Sequence, residues 1–329
     1  MRAYTLAASV SLLLVVGFAS AQVVDGTRDA SYGGALAVQT VQTQFGDANP
    51  PGNLGGSELD AAYATIAGGR LYMMFTGNHE PNFNKLEVFI DSRAGGENTL
   101  TGTPGYDFFN GSSWISQNMG GLTFDTGFNP DYHLFSRWGG GGAGPYEVDF
   151  VDRMNGAAAQ VPGSNGASAN AVGLIAMGQI NAGNVGPNAS GTSLTNDLFF
   201  AINDNNAAGV TGGTGAANQA DALAVTTGME FSIALADIGN PSFGSSIKIA
   251  AMIDNGDHNY LSNQILAGLP APQGNLGGNG SGGFTGTLSG VDFNQFGGPQ
   301  YFEIRLVPEP GTMAVLGLGA LLLLRRRRA

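Results

Sequence analysis

Short segments in which apolar and polar side chains alternate recur along the chain. In the segment 229–235, methionine, phenylalanine, isoleucine and leucine occupy one set of alternate positions, and glutamate, serine and alanine occupy the other. The segments 146–152 and 301–306 alternate in the same way. A two-residue period is typical of half-buried β-strands, and it predicts antiparallel sheet with one face in water.

Other segments are apolar at nearly every position and predict more fully buried strands. They are 71–75, 86–90, 172–177, 198–202 and 247–253. No segment keeps a helical apolar stripe, apart from a short candidate helix at 235–238. Turn-forming residues separate the runs, and the glycine-rich segments 155–171 and 205–220 are predicted to be the longest loops. About twelve to fourteen strand candidates predict an all-β protein, an antiparallel β-sandwich with long Gly/Asn-rich loops.

The N-terminus has the pattern of a secretory signal peptide. Arg2 supplies a positive start, residues 6–18 are almost all apolar, and Ala19-Ser20-Ala21 offers the small residues that signal peptidase accepts. We therefore predict that residues 1–21 are a signal peptide and that the mature chain begins at Gln22.

The C-terminus ends in an apolar segment that is too short for a comfortable membrane span. The twelve residues from Met313 to Leu324 make about 18 Å of helix, against about 30 Å of hydrocarbon. The arginines that follow favour the cytoplasmic side, and the Pro-Glu-Pro at 308–310 breaks the structure before the helix. This layout favours transient anchoring followed by cleavage over the alternative, a permanent C-terminal anchor.

These parts together resemble the PEP-CTERM sorting signal of Gram-negative bacteria that make exopolysaccharide. The residues that carry the resemblance are Val307, Pro308, Glu309, Pro310, Arg325, Arg326, Arg327 and Arg328. The resemblance implies that an exosortase, a membrane transpeptidase, cleaves near the Pro-Glu-Pro and delivers the protein to the cell surface or matrix. The chain thus divides into a signal peptide (1–21), a β-sandwich domain (22–306) and a sorting signal (307–329).

The charge of the predicted domain narrows the range of partners. Residues 22–306 hold eight basic and twenty-four acidic side chains, a net charge of −16. Such a surface repels phosphate backbones, so nucleic acid is not an expected partner, whereas cations are attracted. The chain has no cysteine, which excludes disulfides and thiol chemistry.

A second resemblance covers most of the domain. Asp25-Gly26 near the mature start, a strand that ends in Ile90-Asp91, and the segment 230–235 are similar in order to DOMON-type sandwiches, typified by family 9 carbohydrate-binding modules. The resemblance implies sugar or haem binding and no catalysis. A haem would need an axial ligand, and the sequence singles out none.

Aromatic side chains in loops or at strand ends are the candidate sugar-binding residues, because pyranose C–H faces stack on rings. Trp138 precedes four glycines and is predicted to end a strand at a loop; the other candidates are Trp114 and Tyr132, which is predicted to lie in a loop. The alternative is that these rings fill the core of the sandwich.

A candidate calcium site lies in the sequence Asp254-Asn255-Gly256-Asp257. Asp254, Asn255 and Asp257 place oxygen donors close together, as a hard cation requires. The alternative is an ordinary turn in which these side chains bond their own backbone.

Motifs of known catalytic sites are missing from the sequence. His79, His133 and His258 are far apart and show no HExxH spacing, and no GxSxG or P-loop occurs. Pairs of carboxylates that hydrolyse glycosides depend on the fold, so a glycan-active hydrolase stays open as an alternative. The sequence predicts a non-catalytic, secreted surface or matrix protein that binds carbohydrate or exopolysaccharide, or else a purely structural or adhesive matrix protein. We expect exosortase and signal peptidase as its partners and no cofactor.

Overall fold

The computed structural model describes residues 22–47, 56–103, 105–108, 110–139, 146–154, 180–185 and 194–307. The predicted signal peptide, the sorting segment from residue 308, the predicted loop 155–171 and the predicted strand 172–177 lie outside the described residues. Residues 22–307 form one compact unit. Within the described part of the chain, no helix has both the length and the apolar character that a bilayer crossing requires.

The described residues contain twelve strands and one short α-helix. The strands are β1 (Ala37–Val38), β2 (Glu58–Ala67), β3 (Arg70–Asn78), β4 (Lys85–Asp91), β5 (Tyr132–Trp138), β6 (Tyr146–Asp152), β7 (Ile180–Val185), β8 (Leu198–Asn203), β9 (Gly228–Ala234), β10 (Ser246–Asp254), β11 (Leu261–Leu266) and β12 (Phe302–Arg305). The helix α1 spans Gln219–Ala224, and single 3₁₀ turns occupy Ala30–Tyr32, Ile115–Met119, Leu235–Ile238 and Phe293–Gln295. The predicted helix at 235–238 is thus one of these 3₁₀ turns.

The strands form two antiparallel sheets. The first sheet has the order β1-β2-β3-β9-β8-β7, and the second has the order β11-β10-β4-β5-β6. Strand β12 also pairs with β10, along residues 246–249, while β11 pairs with residues 251–254 of the same strand. This arrangement confirms the predicted all-β sandwich.

The main core lies between the two sheets. Alternate residues of β4, such as Leu86 and Val88, are fully buried there and face apolar residues of the first sheet. Phe75 of β3 contacts both Phe231 and Phe302, so the core also joins β3, β9 and β12. The apolar positions of the alternating segments therefore lie where their two-residue period places them.

The polar positions of β6 and β9 are largely buried, and for these two strands the prediction of a face in water is wrong. On β12, Glu303 and Arg305 are exposed, as the alternation predicts. Glu230 of β9 is fully buried, and Asp149 of β6 is only 1% exposed. The reason for β6 is a further layer, because the segments 98–128 and 269–296 cover the outer face of the second sheet with a second apolar cluster. The polar side chains on that face must then bond one another instead of water.

The first sheet shows the same principle at Glu230. Its carboxylate accepts hydrogen bonds from the backbone N–H groups of Asp25 and Gly26, at 2.8 and 2.9 Å, and from the hydroxyl of Tyr32 at 2.7 Å. The N-terminal segment is thereby fixed across β9.

Candidate functional site

A pocket of about 510 Å³ opens on the outer face of the second sheet, where β4, β5 and β6 meet two covering loops. We call it the phenylalanine pocket. Its lining residues are Asn82, Phe83, Lys85, Asp107, Phe108, Ile115, Arg137, Glu147, Gly256 and Asp257. Phe83 and Phe108 are 53% and 55% exposed, so two large apolar rings stand open at this one pocket.

The backbone is strained around this pocket. In the described part of the chain, four non-glycine residues have a positive φ, and three of them belong here: Phe83 at 71°, Asp107 at 67° and His258 at 54°. A side chain in this conformation costs free energy on the order of 1–3 kcal/mol. Such strain persists only where the surrounding structure holds it, and it gathers at ligand sites and active sites.

Ion pairs fix the floor of the pocket. The Arg137 guanidinium contacts Asp107 at 2.9 Å, Glu147 at 2.8 Å and Asp149 at 2.9 Å. The Lys85 ammonium lies 3.1 Å from Asp107 and also donates to the carbonyl of Gly256. Because Lys85 and Arg137 are almost fully buried, these charged groups have little freedom to move. The floor thus offers hydrogen-bonding groups that are already oriented before a ligand arrives.

A second layer of titratable groups lies beneath the floor, centred on Glu87 of β4. One of its carboxylate oxygens contacts His133 Nε2 and the other contacts His258 Nδ1, both at 2.6 Å. The opposite nitrogen of His258 lies 3.1 Å from Asp107, which connects this layer to the pocket floor. We call the four residues Glu87, His133, His258 and Asp254 the Glu87 cluster.

The hydrogen bonds define the proton positions on His133. His133 Nε2 faces an oxygen of the Glu87 carboxylate, which only accepts. The Tyr106 hydroxyl accepts from Arg153 at 2.8 Å and donates its own proton to the bare Nδ1 of His133, 2.6 Å away. The Nε2–H of His133 therefore donates to Glu87. Burial lowers the pKa of His133 to about 4 despite the attraction of Glu87, so this ring is neutral at pH 7.

His258, in contrast to His133, carries a proton on both ring nitrogens and is positively charged. Both of its ring nitrogens face carboxylates, which only accept, so both nitrogens donate. Burial alone would lower its pKa, but Glu87 and Asp107 raise the pKa of His258 above its ordinary value. Burial would likewise raise the pKa of Glu87, yet the two imidazoles hold that pKa well below its usual range.

Asp254 is the member of the cluster that keeps an unsatisfied oxygen. Its Oδ1 accepts from the backbone N–H groups of Asn255 and Tyr260, at 2.7 and 3.2 Å, whereas its buried Oδ2 has no hydrogen-bond partner. Burial and the nearby charge of Glu87 raise the pKa of Asp254 to about 7.

The predicted aromatic residues occupy three different situations. Tyr132 is 1% exposed and stacks on Phe150 in the core between the sheets, so its ring has no open face for a ligand. Trp114 is half-buried beside Ile115, which lines the pocket. The backbone of Trp138 ends β5, and its side chain lies outside the described residues. The exposed rings at the pocket are instead Phe83 and Phe108, which the sequence did not single out.

The three predicted calcium residues lie in different environments. Asp254 is buried, Asp257 is exposed at the pocket, and the Asn255 side-chain oxygen accepts from the backbone N–H groups of Asn259 and Tyr260. Asn255 therefore stabilises a turn through its side chain, which is the alternative to a calcium site that the sequence left open.

A comparison with protein families finds the PEP-CTERM protein-sorting motif at residues 306–328. This motif marks an exported protein that is held transiently in the membrane and then processed by exosortase-type machinery. Searches of curated proteins and of solved structures found no match, so the resemblance to DOMON-type sandwiches is not confirmed.

Proposed function

We propose that this exported protein binds carbohydrate, without catalysis, in the phenylalanine pocket, and that it does so at the cell surface or in the extracellular matrix. The observation that carries the proposal is the pairing of two exposed rings with a fixed floor of charged groups. Sugars present C–H faces that stack on rings and hydroxyls that need oriented partners. Exposed apolar side chains that gather at one pocket are characteristic of binding sites.

The electrostatics of the floor favour binding over hydrolysis. A carboxyl group that donates a proton to a glycosidic oxygen needs a raised pKa. Burial would raise the pKa of Asp107, but Lys85 and Arg137 outweigh it and hold that pKa well below its usual range. Asp107 thus stays ionised and suits the role of a hydrogen-bond acceptor for hydroxyl groups.

The proposal predicts that both rings contribute to affinity. Burying a phenylalanine side chain contributes about 1.5–3 kcal/mol, so Phe83→Ala and Phe108→Ala should each weaken binding of exopolysaccharide fragments roughly tenfold to a hundredfold. Isothermal titration of the purified protein measures this change. The matched controls are Phe243→Ala and Phe284→Ala, since these rings are 69% and 67% exposed and do not line the pocket.

Two results would contradict the carbohydrate proposal. One is a Phe83→Ala, Phe108→Ala double variant that binds the fragments as tightly as the unchanged protein. The other is the release of reducing ends from the fragments by the pure protein, which would support the hydrolase alternative instead.

The proposed location at the cell surface or in the matrix can be tested through the processing of the C-terminus. Cleavage near Pro308-Glu309-Pro310 should leave the surface or matrix form without Arg325–Arg328. Mass spectrometry of the C-terminal peptide, taken from the cells that make the protein, measures this directly. An intact arginine-rich end on the surface form would show that the chain keeps its anchor.

A further inference from the structure

Beneath the phenylalanine pocket, three side chains of the Glu87 cluster converge on one buried point. Glu87, Asp254 and His258 each offer one ligand atom, and these atoms all lie within 4.8 Å of one another. The three residues come from β4, from the end of β10 and from the loop that follows it, and all are at most 1% exposed. Carboxylates and imidazoles are common metal ligands, but convergence alone does not establish a site.

In each of these three side chains, the atom that would not bind a metal is hydrogen-bonded to another group. Glu87 Oε2 accepts from His133, His258 Nε2 donates to Asp107, and Asp254 Oδ1 accepts from two backbone N–H groups. Each of the three side chains is thus oriented by a separate partner on its far side. Metal ligands in proteins are held in this way, by hydrogen bonds from the atoms that do not coordinate.

The atoms that would bind a metal are Glu87 Oε1, His258 Nδ1 and Asp254 Oδ2. His258 Nδ1 donates to Glu87 Oε1 at 2.6 Å, and a metal ion bound to both atoms would displace that proton to solvent. Asp254 Oδ2 is buried without a hydrogen-bond partner. A buried carboxylate oxygen without a partner is costly, and native structures satisfy almost all such atoms. A cation bound to these three atoms would supply the missing partner.

We propose that Glu87 Oε1, Asp254 Oδ2 and His258 Nδ1 bind a divalent transition-metal ion of the zinc class. One imidazole and two carboxylates suit zinc and its neighbours, whereas calcium takes six to eight oxygens. The three ligands leave a fourth tetrahedral position for water. This site shares Asp254 with the calcium site expected from the sequence, but neither Asn255 nor Asp257.

The site would connect β4 to the loop after β10. That loop supplies Gly256 and Asp257 to the wall of the phenylalanine pocket, and Asp107 contacts both His258 and the pocket. A bound ion would therefore stabilise the pocket wall, whether or not the pocket binds sugar.

The test uses the full exported protein, stripped with a chelator and then dialysed. Adding a saturating excess of Zn²⁺ should raise the melting temperature by about 5 °C or more, and Co²⁺ should bind at one ion per chain with visible absorption bands that Zn²⁺ removes. Asp254→Asn and His258→Gln should each abolish the Zn²⁺ shift and the Co²⁺ bands. Two ligands are changed separately so that a folding defect in one variant leaves the other informative.

Asp60→Asn is the matched control. Asp60 is also fully buried with an unpartnered Oδ2, but it lies on β2 of the other sheet and is not part of the convergent group. This variant should keep the Zn²⁺ shift and the Co²⁺ bands. The proposal is overturned if the unchanged protein shows no Zn²⁺ shift and no Co²⁺ bands, if both ligand variants respond as it does, or if Ca²⁺ gives the larger shift.

Discussion

Replacing Glu87 with glutamine should lower the free energy of unfolding of the chelator-treated protein by about 3–5 kcal/mol. The carboxylate of Glu87 is the acceptor for both His133 and His258, and it balances the charge of the His258 imidazolium. Glutamine keeps the shape but removes the charge, and its amide group turns a donor towards an imidazole N–H. The buried cation is then left without one of its two counter-charges. Urea unfolding monitored by fluorescence measures the loss.

Glu303→Gln is the control for this substitution. Glu303 lies on β12 of the same sheet and is exposed, so the same chemical change should alter stability by no more than about 0.5 kcal/mol. A loss below about 1 kcal/mol at Glu87 would mean that water or rearrangement satisfies the histidines, and the Glu87 cluster would then not be a tightly coupled unit.

Replacing Arg137 with methionine should have a similarly large effect, about 3–5 kcal/mol. Methionine replaces the apolar stem of arginine, so the packing of the stem is largely kept while the guanidinium is lost. Asp107, Glu147 and Asp149 would then repel one another across the space that the guanidinium now fills. Arg137→Lys should lose less, because it keeps the charge but not the fork of donors. Thermal and urea unfolding of both variants give the comparison.

The control is Arg305→Met, on the exposed face of β12. We expect it to change stability only slightly, because a solvent-exposed cation contributes little. If Arg137→Met proved as stable as the unchanged protein, the three carboxylates would have to be neutralised in another way, and the floor of the phenylalanine pocket would not be fixed by ion pairs.

The described strands that the sequence predicted all send apolar residues into the central core. The alternating segments became β6, β9 and β12, because a two-residue period places their apolar residues on one face. The strand β11 was not predicted, since its sequence LSNQIL has three consecutive polar residues in the middle. All three are nonetheless buried, because loops cover the edge where β11 lies. Local patterns do not reveal such tertiary cover.

The candidate site was hidden for the same reason. His133 and His258 are 125 positions apart in the sequence, so their spacing carries no motif, and only the pairing of β4 with β5 and β10 brings them to Glu87. One signal was available: Glu87 interrupts an otherwise apolar buried run, and a charged residue there needs a buried partner. Which residues supply that partner depends on the strand order, which the sequence did not indicate.

The most direct test of carbohydrate binding at the phenylalanine pocket is hydrogen–deuterium exchange of the exported protein, with and without saturating exopolysaccharide fragments. We expect slower exchange in the segments 82–85, 106–108 and 255–258, which border the pocket. Unchanged exchange in all three segments would contradict it. So would protection confined to the smaller pocket of about 260 Å³ beside Asp47 and Asp221.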